Sequence, residues 1–319
     1  MSRSSRSLKV HQNYIPQVKS AVKEMGYARQ QDLAEALGIC LSTLSSYLNG
    51  KPVDYQIFVD ISEHLEVDWK EISGCGFSVY VERPDIESLC YQEILQPGSL
   101  IRIKAPNFMG KTSLMAWIRD RAREHNYRTA YLNLHSAGKT DFTSPNYFLR
   151  WFCINVSHSM ELPNRITDYW DEEMYSSKVN STDYFQEYLL AQANTPLVLC
   201  LDGVERVFPC LEVAPTFFEL LRSWHELART NPIWERLRLV VAHSKEVYIT
   251  LNINKSPFNV GLPIELPDFT SQQVKELAQR HGLNWTCEQV QRLMDMVRGG
   301  CPYLVEQAIL NLKNNSIMV

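Results

Sequence analysis

The stretch IRIKAPNFMGKTSLM, Ile101 to Met115, decides how the rest of the chain is read. An apolar strand over Leu100 to Lys104 leads into it, and an amphipathic helix opens at Lys111 and carries Leu114, Met115, Trp117 and Ile118. Between them, Ala105 to Ser113 fits the phosphate-loop spacing except that Ala105 stands where the first glycine is usual. Each part has a physical reason. Gly110 lets the backbone come close to phosphate oxygens, the helix start adds free N–H groups and a positive dipole end, and Lys111 supplies a point charge. The Thr112 hydroxyl suits a Mg²⁺ ion, and Asn107, Met109 and Ser113 belong to the same cradle.

About ninety residues further on, Leu197-Val-Leu-Cys-Leu-Asp202 is an apolar run that ends on one carboxylate. A strand buried on both faces with an acid at its carboxyl end is what a Walker B strand needs, and Asp202 is the second metal ligand expected. The residue after it is Gly203, which has no side chain to polarise water. Glu205 is the nearest substitute; it either swings toward the terminal phosphate or stays a solvated charge, and the solvated reading is favoured. The catalytic set expected is thus Lys111, Asp202 and Glu205.

Further strands are expected at Thr129 to Leu134, Leu237 to Ala242 and Pro263 to Leu266, with helices starting near Lys111, Pro145, Thr182 and Ala214. Strands alternating with helices imply an α/β fold, a P-loop NTPase parallel sheet flanked by helices. Phe269 to Val319 reads as three short helices, a small helical lid. Before the sheet, Asn13 to Ile72 shows short helices and tight turns without strand-like alternation. Gln31 to Leu37, stopped by Gly38, and Ser42 to Leu48, stopped by Gly50 and Pro52, form a helix-turn-helix. Leu33, Ala34 and Leu37 stripe the first helix, and Leu41, Leu44 and Leu48 the second. The domain plan is therefore 1–74 helix-turn-helix, 75–268 nucleotide core and 269–319 lid.

Bulk properties narrow the setting. With 319 residues, 45% hydrophobic and 21% charged, the chain suits packed domains rather than disorder. A net charge of −4 argues against bulk coating of nucleic acid, although seven basic residues face three acidic ones between Met1 and Lys51. No run has the length and apolarity of a membrane span, and the first ten residues lack a secretory apolar stretch, so a cytoplasmic protein with no membrane partner is expected. The eight cysteines show no C-x-x-C pair and read as reduced core residues.

These segments, together with YVERPDIESLC, LVLCLDGVERVF, LRLVVAHSKEVY and GGCPYLV, resemble the AAA-like P-loop ATPases common in cyanobacteria, within the STAND class of signalling ATPases. The wording QQDLAEALGICLSTLSSYLNGKPV resembles the Cro and phage-repressor helix-turn-helix, of a kind found at the front of bacterial conflict-system proteins. The first resemblance implies ATP or ADP with Mg²⁺ as ligands. It also implies a lead-in strand at Tyr80, Val81 and Arg83 bordering the nucleotide, and a lid proline, Pro302, touching the adenine. On the residues alone, Gly299-Gly-Cys-Pro302 also reads as a turn before a helix.

Two departures bear on activity: Gly203 in place of a second acid, and a sensor strand ending in His243 and Ser244 rather than arginine, with His243 either feeling the terminal phosphate or structural. The leading function is a slowly hydrolysing ATP switch whose nucleotide state controls assembly or partner binding. The alternative is a DNA-binding regulator, or a DNA-loaded adaptor of a transposition or defence machine, with nucleotide as a structural ligand. DNA is the expected partner of the N-terminal domain, though such modules also bind proteins, and Ser42, Thr43, Ser45, Ser46 and Asn49 offer no bidentate base contact. Self-association would draw an arginine finger from Arg206, Arg222 or Arg236.

Overall fold

The computed structural model describes residues 7–10, 14–27, 29–65, 67, 69–73, 80–192, 195–244 and 257–316. The chain divides into two compact units, residues 1–78 and 79–319.

In the first unit, helices α1 (Ile15–Glu24), α2 (Gln30–Leu37), α3 (Leu41–Leu48), α4 (Tyr55–His64) and α5 (Trp69–Ile72) accompany a two-residue antiparallel ladder of β1 (Ser7–Leu8) with β2 (Val53–Asp54). That ladder escapes pattern reading because two residues carry no periodicity. Gly38 ends α2 in the left-handed region at φ 65°, where glycine carries no steric cost, and the chain turns directly into α3. Leu33, Ala34, Leu44 and Leu48 are buried as their spacing requires. Leu41, assigned to the same stripe, is exposed at the helix start; Tyr47 takes the inner place, its hydroxyl 2.7 Å from that of Ser62 and its ring 5.0 Å from Phe58.

The second unit is a five-stranded parallel sheet in the order β4-β5-β6-β3-β7, made of β3 (Leu100–Lys104), β4 (Arg128–Asn133), β5 (Leu197–Asp202), β6 (Leu237–His243) and β7 (Leu262–Glu265). Alternation along the strands builds two cores. Leu197, Leu199 and Leu201 of β5 face a cluster with α8 (Pro145–Ser159), α9 (Ile166–Tyr169), α10 (Ser177–Asp183), α11 (Leu190–Gln192) and α12 (Val213–Leu227). Val198 and Cys200 face the other side, against α6 (Pro84–Ile94) and α7 (Lys111–Glu124). Both faces being covered, every residue of β5 and β6 is buried, which is why these strands read as continuous apolar runs. The helix expected near Thr182 starts at Ser177 and runs on through a π-helical turn, Tyr184–Leu189.

The C-terminal helices α13 (Ser271–Arg280), α14 (Cys287–Val297) and α15 (Pro302–Ser316) have their own core of Val274, Leu277, Val290, Leu293, Val305 and Ile309. Thr270 with Gln273 and Thr286 with Gln289 form reciprocal capping boxes that start α13 and α14. Gly300 is required by a close approach: a Cβ there would lie 2.0 Å from the Phe269 carbonyl oxygen, and the Phe269 N–H donates to the Gly300 carbonyl at 2.7 Å.

Cys90, Cys153, Cys200 and Cys301 are buried thiols, as expected. Cys40 and Cys287 are exposed, each lying beside a helix start rather than in a core. Among the described residues no helix is long and apolar enough to cross a membrane.

Candidate functional site

The crossover from β3, fourth in the strand order, to β4 at the far edge leaves the carboxyl ends of β3, β5 and β6 facing one region, the place where open α/β sheets take ligands. The loop from β3 to α7 turns twice through the left-handed region, at Phe108 (φ 72°) and at Gly110 (φ 93°), the N-cap of α7. Gly110 satisfies this at little cost, whereas Phe108 costs strain that its surroundings must offset. Its ring stacks on Tyr303 of α15 at 4.5 Å, which holds the loop tip against the C-terminal helices.

Lys111 is buried, and its ammonium donates to the carbonyls of Ala105 (2.9 Å) and Pro106 (3.0 Å), so the loop curls around its own cation. The Thr112 hydroxyl donates to Asp202 Oδ2 at 2.6 Å, joining the start of α7 to the end of β5. Tyr131 of β4 donates its hydroxyl to the same oxygen at 3.0 Å, while Asp202 Oδ1 accepts the Gly203 N–H at 2.9 Å. A hydroxyl and a carboxylate at this spacing are the hard oxygens a Mg²⁺ ion takes alongside water and phosphate. Asn107 and Ser113 are half-buried in the loop and the first turn of α7, and Ala105 and Met109 are buried.

Arg83 reaches the same loop from the other side. It is buried at the N-cap of α6, where its N–H donates to Glu87 Oε1 at 2.9 Å, the oxygen that also accepts from the Tyr80 hydroxyl. Its guanidinium donates to the Met109 carbonyl at 3.0 Å and lies over the Phe269 ring at 4.6 Å. Tyr80 to Arg83 form no strand, which corrects the expected lead-in; the segment is held by side chains instead. The rest of the apolar run, Phe77 to Val79, lies outside the described residues. Pro302 is the first residue of α15, buried, and next to the Tyr303 that stacks on Phe108.

One expectation is corrected, and two open ones gain their surroundings. Glu205 is not a solvated charge: its side chain is 9% exposed and is gripped by Ser244 at the end of β6 through the backbone N–H (3.1 Å to Oε2) and the hydroxyl. Burial opposes its ionisation, but His135 and the Ser244 donors more than offset that and hold its pKa down to about 2. His243 is buried between the rings of Phe208 and Phe258, at 5.7 and 5.2 Å, and its neighbour Ser244 makes the link to Glu205 in the turn that follows β5. Two of the three candidate arginines are engaged within the chain: Arg222 with Glu226 and Asn259, and Arg236 with the Leu190 carbonyl, while Arg206 lies over the Phe142 ring. Tyr131 and His135 were missed from the sequence; both sit on a strand or strand end with no motif, and only the register Asn133↔Asp202 brings them to the site.

A parallel sheet in this order, with a glycine-lysine-threonine loop leaving the interior strand β3, defines a P-loop α/β protein. The AAA-like domain model matches residues 74–319, and the chain belongs to that family. No curated protein matches it. Among solved structures it is similar to the Aeropyrum pernix ORC2 protein. For the ADP form the TM-score is 0.52 at 18% identity, over 75% of this chain and 64% of that one. For the ADPNP-ADP complexes it is 0.50 at 17%, over 74% and 62%. AMPPCP-bound DnaA from Aquifex aeolicus follows with a TM-score of 0.44 at 14% identity, over 71% and 59%. The chain thus spans less than two thirds of the length of each of these proteins.

Proposed function

We propose that the chain is an ATP-binding, slowly hydrolysing switch of the STAND type, in which residues 75–268 bind ATP or ADP with Mg²⁺ and residues 269–319 act as the lid. The observation that carries this reading is the Thr112–Asp202 hydrogen bond of 2.6 Å, which puts the two expected metal ligands together beside the α7 N-terminus and Lys111. Arg83 and the Phe108–Tyr303 stack tie that loop to Phe269 and α15, so a ligand that reshapes the loop acts directly on the lid contacts. In this reading Pro302 and Arg83 border the nucleotide, residues 1–74 are a helix-turn-helix module meeting DNA or a protein partner, and the protein works in the cytoplasm. The similar ORC2 structures hold ADP or ADPNP, which agrees with a nucleotide ligand here.

The test is the thermal shift on adding ATP with Mg²⁺, compared between wild type and Lys111→Ala, followed by sizing with ADP, ATP and a non-hydrolysable analogue. The wild type is expected to be stabilised and the variant not, because the phosphates lose their main cation while Gly110 and the helix end remain. Equal shifts would remove this loop from the site. Identical monomers in every nucleotide state would instead favour the second reading, a DNA-bound regulator with structural nucleotide, which the tight turn between α2 and α3 supports.

A further inference from the structure

Beside Asp202, a half-buried histidine occupies space that a side chain would otherwise fill. Gly203 is left-handed at φ 70°, and a Cβ built on it would fall 2.4 Å from His135 Cδ2 and 2.8 Å from His135 Nε2. The imidazole therefore lies where the residue after the Walker B aspartate would project.

His135 is held there by several groups. Asn133, the last residue of β4, accepts the His135 N–H at 3.1 Å on its side-chain oxygen and starts the tight turn Leu134–Ser136. The Ser136 hydroxyl closes the turn onto the Asn133 carbonyl at 2.6 Å. Behind the ring, the Glu205 carboxylate faces Nε2 at 3.8 Å and is itself fixed by the two donors of Ser244. The imidazole is 13% exposed and the carboxylate 9%, so the ring keeps some contact with solvent and its support slightly less.

We propose that His135 takes the place of the missing acid at position 203 and holds the water that attacks the terminal phosphate, with Glu205 and Ser244 as positioning residues behind it. The inference rests on the ATP reading above. In the step the ring is neutral, Nε2–H is turned to the Glu205 carboxylate, and Nδ1 accepts a hydrogen bond from the water, whose lone pair is turned toward the γ-phosphorus. The new P–O bond forms as the bond to the β-phosphate oxygen breaks, and ADP leaves with that electron pair. One proton of the water stays on the released phosphate and the other goes to solvent. A ring set by a carboxylate across 3.8 Å is a looser water holder than a carboxylate carried on the strand itself, which agrees with slow turnover.

The experiment uses the full chain and reads ATP affinity and phosphate release separately. Wild type is expected to bind ATP with Mg²⁺ and release phosphate slowly. His135→Ala should bind ATP within about threefold of wild type yet release phosphate on the order of a hundredfold more slowly, and added imidazole should restore part of the rate. Glu205→Gln should lower the rate at unchanged affinity and gain nothing from imidazole. If His135→Ala melts, Gly203→Ala serves instead: its Cβ displaces the ring without deleting it, and the rate should fall with no imidazole rescue. An unchanged rate in His135→Ala, a loss that follows ATP affinity, or a wild type that binds ATP without hydrolysing it would overturn the proposal alone. A wild type that binds no ATP would overturn the reading beneath it as well.

Discussion

Replacing Gly203 by glutamate would put an acid directly after Asp202, and a reader of motifs would expect faster hydrolysis from it. The structure points the other way. A Cβ at this position meets His135 Cδ2 at 2.4 Å, His135 Nε2 at 2.8 Å and Asn133 Oδ1 at 3.2 Å, and the backbone stands at φ 70°. The left-handed conformation costs a residue with a Cβ about 1 to 2 kcal/mol. Forcing the imidazole aside adds overpacking of about 1 to 3 kcal/mol, so the domain loses roughly 2 to 5 kcal/mol in all. For a unit of this size that is a fall in melting temperature of roughly 4 to 20 °C. The new carboxylate would also stand near those of Asp202 and Glu205. Calorimetry without nucleotide and phosphate release at saturating ATP measure both effects. A Gly203→Glu protein that melts within about 2 °C of wild type and hydrolyses faster would refute the argument, because it would mean that the ring yields freely and has no part in the reaction.

Tyr131→Phe removes one of the donors to Asp202 Oδ2, a hydrogen bond to a charged group worth about 1.5 to 3 kcal/mol; the urea midpoint should fall with an unchanged slope, and an unmoved midpoint would show that solvent replaces the phenol. Gly300→Ala forces a Cβ to 2.0 Å from the Phe269 carbonyl oxygen, a backbone clash that no rotamer relieves, so hydrogen exchange across α13 to α15 should rise well before it does in the sheet. Glu306 of α15 is pushed by burial from its ordinary 4.5 up to about 7, with the buried His281 3.3 Å away and itself pushed down by burial and Lys313. A raised carboxyl pKa means that its contribution is complete below pH 4.5 and lost as pH rises through about 7, a change of about 3 kcal/mol. His281, pushed the other way, gains stability as pH rises, so the Glu306 part is read as a difference: Glu306→Gln should lose less stability, or gain more, than wild type between pH 5.5 and pH 8, and equal slopes would assign the effect to other groups.

What the sequence made legible follows from how local each signal is. The strands ending at Lys104, Asp202 and His243 were readable because both faces of a central parallel strand are buried, so the apolar run is written into the residues themselves. The loop around Gly110 and Lys111 was readable because its chemistry is carried by neighbours in the chain. Helix α6 carried a Pro at its first position and acids in its first turn, signals for a helix start that went unread beside the expected lead-in strand. Glu205, Tyr131 and His135 were not readable, since their roles depend on which strand lies beside which. The parallel register Asn133↔Asp202 sets the end of β4 against the end of β5, and β6 next to β5 brings Ser244 to Glu205. Gly203 changes meaning in the same way. Read along the chain it is a missing acid; read across the sheet it is the opening that admits a histidine from the neighbouring strand end, and any residue larger than glycine would close that opening.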